Sequence, residues 1–90
     1  MPKAAADPEE LRRFASELKR FNGDLKGEIA GLHQRFVKLG DTWKDQEHVK
    51  FAETFEQMVH ALAKFAEAAD AHVPFLLRKA QRLQEYLDQR

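Results

Sequence analysis

Ninety residues make one domain, near the lower limit at which a chain buries a core unaided. With no cysteine, neither a disulfide framework nor a thiolate zinc site can staple it. Fifteen basic residues balance fifteen acidic ones, which argues against nucleic acid as a partner, and no apolar run reaches the roughly 18 to 20 residues of a membrane span.

Residues 1–7 read as a flexible tail without the apolar core of a cleaved signal peptide. Export, if it occurs, is then expected to use no cleaved leader. Asp7-Pro8-Glu9-Glu10 is a helix start: an acceptor for free amides, a proline for the first helical position, and two carboxylates for the positive end of the dipole. Leu11, Phe14, Leu18, Phe21, Leu25, Ile29, Leu32, Phe36 and Leu39 then step by three or four, predicting a first helix over 8–39 about 48 Å long. Within it the leucines recur every seventh residue. Gly23, Gly27 and Gly31 lie roughly opposite that face, as a solvated back or as a groove for another helix.

Gly40 stands where a left-handed cap would end the helix. Asp41 and Asp45 are both plausible caps for a second helix, expected over 45–88 after a turn at 40–45. Its stripe reads Ala52, Phe55, Val59, Leu62, Ala66, Ala69, Val73, Leu76, Ala80, Leu83, Leu87, widened along one edge by Phe51, Met58 and Phe65. The stripe keeps phase across Pro74, predicting one helix kinked there; the alternative is a break at 71–73 followed by a short third helix.

The expected fold is all-α: an antiparallel two-helix hairpin that dimerises into a four-helix bundle. Counting outward from the turn sets Leu39 near Asp45 and Leu11 near Val73. Helix one then ends beside Leu76, leaving an apolar overhang of about 20 Å. The expected dimer interface is Leu11, Phe14, Leu18, Phe21, Leu25, Phe65, Val73, Leu76, Leu77, Leu83, Tyr86 and Leu87.

Chemistry is absent from the motifs. A di-iron bundle needs Glu-x-x-His pairs, and no glutamate has a histidine three residues on. Glu56 and His60 stand four apart, as a surface contact would. His48 falls on the apolar stripe as a partly buried, hydrogen-bonded histidine. Neither Ser16 nor Thr54 has an acid–base partner nearby. No catalytic residue, metal ligand or cofactor site is expected.

Trp43 projects off the main stripe, either wedged against the end of helix one or offered to a partner. A leucine-glycine turn, this tryptophan, and Phe51 eight positions on between two long helices resemble the WXG family. Those are helical hairpins linked to bacterial type VII secretion. Asp45 takes the place of the glycine in the family's Trp-x-Gly and can still cap the second helix. Arg90, four residues after Tyr86, takes the place of an acidic residue in the export signature of many secreted members. The resemblance implies a secretion substrate or partner with Gly40, Trp43, Asp45 and Phe51 as signature residues. It implies pairing with a second copy or a related hairpin, contact with a secretion ATPase, and no stable membrane insertion. The rival expectation is a cytoplasmic dimeric adaptor that is not exported.

Overall fold

A computed structural model describes residues 6–89. Two helices, α1 (Pro8–Leu39) and α2 (Gln46–Asp88), fold back on each other as a hairpin about 70 Å long. Asp7 caps α1, accepting from the Glu9 amide at 2.9 Å, with Pro8 in the first turn. Asp45 rather than Asp41 caps α2, its Oδ1 accepting from the His48 amide at 3.1 Å. The expected N-terminal tail lies outside the described residues up to position 5.

α2 runs unbroken through Pro74. No separate third helix forms, because the stripe on either side belongs to one seam.

That seam is a pair of heptad rows on each helix. On α1 the leucine row Leu11 to Leu39 is joined by Pro8, Ala15, Asn22, Ile29 and Phe36. On α2 one row is His48, Phe55, Leu62, Ala69, Leu76 and Leu83; the other is Ala52, Val59, Ala66, Val73, Ala80 and Leu87. Among the described residues full burial is confined to this strip, at Pro8, Ala15, Asn22, Phe55, Ala66, Ala69 and Ala80. The many alanines let the two backbones approach closely, so the core is thin.

The register differs from the count about the turn. Arg12 meets Gln84 and Asn22 meets Ala66 and Asp70, so α1 covers α2 well past Leu76. Ala80, expected on the overhang, is 0 % exposed. Leu76, Leu83 and Leu87 are half-buried. The physical reason is the lean of helical side chains toward their own N-terminus. In an antiparallel pair both partners lean, so contacting residues lie several positions beyond those at the same height. The 20 Å overhang shrinks to the last turn of α2 and argues for no partner.

Candidate interaction surface

At the turn, α1 unwinds through right-handed conformations. The amides of Gly40, Asp41, Thr42 and Trp43 donate back to the carbonyls of Val37, Lys38, Leu39 and Leu39 at 3.1, 3.0, 3.1 and 2.9 Å. Gly40 has φ −61° and ψ −15°, so the left-handed cap expected there does not form. Its lack of a side chain serves clearance instead. A Cβ would stand 3.2 Å from the Val37 carbonyl and 3.6 Å from Nε2 of His48.

Into that clearance fits a stack of rings. His48 lies parallel to Phe36 at 5.3 Å between centroids and edge-on to Trp43 at 5.0 Å. Phe36 continues to Phe55 at 4.5 Å, and Trp43 reaches Phe51 at 5.9 Å. Trp43 is thus half-buried within its own chain, the first of the two readings of its position. His48 is half-buried as expected, but its Nε2 is buried without a hydrogen-bond partner, because its neighbours there are rings. Glu56 turns across the hairpin to His33 at 2.9 Å instead of along α2 to His60.

Beyond the turn the hairpin has two unlike flanks. On one, α1 and α2 are joined by polar pairs: Arg12 to Gln84, Lys26 to Asp70 and His33 to Glu56. Beside the middle pair lies Asn22, 1 % exposed. Its Nδ2 donates to Asp70 at 3.0 Å and to the Ala66 carbonyl at 3.4 Å, while its Oδ1 has no partner. The hydrogen bonds from Lys26 first and Asn22 second hold the Asp70 carboxyl below its ordinary value. Position 22 lies seven residues from Ala15 and from Ile29, on the seam by periodicity, but a polar side chain there does not register as part of an apolar stripe.

The other flank carries its aromatic and apolar side chains without a partner across the hairpin, with Glu28, Arg35, His72 and Lys79 at the remaining positions of the same rows. Phe14 and Phe21 on α1 and Phe51, Met58 and Phe65 on α2 follow their leucine and aromatic rows at heptad spacing, each 44 % exposed or more. Near the turn, Leu32, Leu39, Phe51, Met58 and the side chain of Arg35 line one open concavity. Tyr86 continues the row at the far end, also exposed. Of the expected interface residues, Leu11, Leu18, Leu25, Val73, Leu76, Leu83 and Leu87 lie in the seam, half-buried within the chain. Leu77 falls in the heptad row of Asp70 and Gln84, on the polar flank, so it does not share a face with Phe14, Phe21, Phe65 and Tyr86. Gly23 and Gly27 face open space, with nothing within 4 Å of where a Cβ would stand, and Gly31 has only the Arg35 guanidinium at 3.6 Å.

An elongated two-helix hairpin with an aromatic turn and one bare flank defines the class of small helical-hairpin proteins. The family described as proteins of 100 residues with WXG matches residues 3–87, and the chain belongs to that family, WXG100. No curated protein matches the sequence. Among solved structures, the chain is similar to wild-type EsxB, a secreted protein from Bacillus anthracis str. Sterne. They share 25 % identity at a TM-score of 0.79, over 94 % of this chain and 99 % of that one. A point variant of EsxB from the same strain aligns at 24 % identity and a TM-score of 0.79, over 92 % of this chain and 99 % of that one.

Proposed function

We propose that this protein is a type VII secretion substrate or partner that acts by pairing its apolar flank with another helical hairpin and presenting the resulting surface. The observation that carries the reading is the imbalance of burial. Among the described residues thirteen large apolar side chains are exposed, whereas five apolar residues make up the buried core apart from Pro8. A small scaffold without staples makes up such a deficit by association. Membership of WXG100 and the likeness to a secreted protein support export. No helix of the described residues is long and apolar enough to cross a membrane. No group of three His, Asp or Glu side chains among the described residues could hold a metal ion.

The roles follow from position. The seam holds the hairpin, the bare flank receives the partner hairpin, and the Trp43–Phe51 turn at one end meets the secretion ATPase. Asp45 supports that end by capping α2. The test is export from the native host with and without the membrane-bound secretion ATPase. Protein that reaches the medium only when the ATPase is present supports the reading. Protein that stays in the cytosol in both strains refutes export and favours a cytoplasmic dimeric adaptor, the reading to which Arg90 at the export-signature position points.

A further inference from the structure

We propose that the outer face of α2, turned away from α1, is a docking site for an acidic helical segment of another protein. The inference rests neither on the apolar flank nor on export. Although the chain has equal numbers of cations and carboxylates, they are not spread evenly. Residues 71–84 form the longest run of the chain without aspartate or glutamate, and that run holds Arg78, Lys79 and Arg82. Phe75, Arg78 and Arg82 step by three and four, so they share one face of the helix. They lie off the rows through Val73, Ala80, Leu76 and Leu83 that pack on α1. Both arginines are exposed, and Phe75 is 51 % exposed. Arg12, Arg13 and Lys26 find carboxylates within the chain, whereas among the described residues none pairs with Arg78 or Arg82.

The face also has a shape. His72 donates from Nδ1 to the Ala68 carbonyl at 2.8 Å, and its ring stands edge-on to Phe75 at 6.5 Å between centroids. Beside them the small Ala71 helps to line an open hollow of about 260 Å³ with His72, Phe75 and Arg78. Small-molecule sites begin near 300 Å³ and enclose their ligand, so this hollow suits one aliphatic side chain of a larger partner. Arg78 and Arg82 stand about 6 Å apart along the axis. Two carboxylates four residues apart on a facing helix have the same spacing, and a guanidinium can take each of them with paired N–H donors. Asp70 closes the run on one side, and Glu85 and Asp88 close it on the other. A discrete pair of carboxylates fits between them. A lipid surface or a continuous polyanion would meet those acids as well.

The experiment is fluorescence anisotropy of a labelled helical peptide of about 20 residues, titrated with the full chain. The peptide carries two glutamates four residues apart and a leucine one turn away. The leucine precedes them in one version and follows them in another, which covers both chain directions. One version is expected to bind at about 100 µM or tighter, and more weakly as salt rises. Arg78→Glu with Arg82→Glu is expected to weaken binding by at least about tenfold, and glutamine in place of both peptide glutamates by as much. Arg78→Gln with Arg82→Gln should show the same loss at smaller size. Phe75→Ser should weaken binding by about threefold or more. Lys50→Glu, on the same helix near the turn, should change it by less than about twofold. Phe21→Ser with Phe65→Ser should leave it unchanged, which separates this face from the apolar flank. Circular dichroism checks that each variant is helical. If neither version binds at about 1 mM, the proposal is overturned. Binding indifferent to both arginine pairs overturns it too. Capture by phosphatidylserine vesicles with no peptide bound also overturns it, and assigns the face to lipid.

Discussion

Along the edge where Arg12, Lys26 and His33 reach Gln84, Asp70 and Glu56, contacts cross from one helix to the other at intervals down the hairpin. Along the opposite edge Phe14 and Phe21, far from the turn, and Phe51, Met58 and Phe65, from the turn to the middle, each keep about half their surface in water. Exposed polar pairs of the first kind contribute little stability, because water screens them. Apolar groups of the second kind are worth about 1.5 to 3 kcal/mol each once covered. The polar edge therefore orients the two helices and remains soluble, and most of the binding energy the chain has in reserve lies on the other edge.

The largest effect should come from stripping that reserve. Phe21→Ser with Phe65→Ser is expected to weaken association with a partner hairpin by at least about a hundredfold, read by sedimentation, because two rings leave the bare flank. Helix content of the single hairpin should change little. Next comes the seam between the edges. Ala80→Leu forces a larger side chain into a site with no exposed surface, and should cost about 1 to 3 kcal/mol in chemical denaturation. Had α1 ended beside Leu76, the same change would be nearly silent. Smaller and opposite in sign, Gly23→Ala and Gly27→Ala should each stabilise by about 0.5 to 1 kcal/mol, since the new methyl meets nothing.

The smallest effect belongs to the polar edge and depends on pH. Asp70 has its folded value lowered by Lys26 and Asn22. Its contribution is therefore present above the ordinary carboxylate value, about 3.9, and disappears as pH falls through the lower folded value. Thermal melts of the native chain should lose stability more steeply over that acid range than those of Asp70→Asn. Identical slopes would show that the polar edge does not bias folding.

Much of this was legible in the sequence because it is local. Asp7-Pro8 and Asp45 carry their capping chemistry in two or three residues, and the unbroken phase of Ala69, Val73 and Leu76 correctly argued that Pro74 sits inside one helix. Trp43 and Phe51, expected with Gly40 and Asp45 as signature residues, stand 5.9 Å apart between ring centroids. What escaped was relational. The register depends on the lean of side chains in two helices at once, so counting from the turn misplaced Ala80. The two flanks lie only two heptad positions apart, and the stripe alone did not separate Leu77 on one from Phe65 on the other. Gly40 was read for backbone freedom, whereas its use is room for a ring from the next helix.

Pro74 has one more consequence. Lacking an amide proton, it leaves the carbonyl of Asp70 without the rung that every interior helical residue expects four positions on. α2 thus carries a missing step in its ladder just where the Asn22 and Lys26 side chains hold Asp70. Deuterium uptake should then divide the long helix into two protected stretches with a faster-exchanging boundary between them. Thermal opening of the rod should begin at this interior point as well as at its ends.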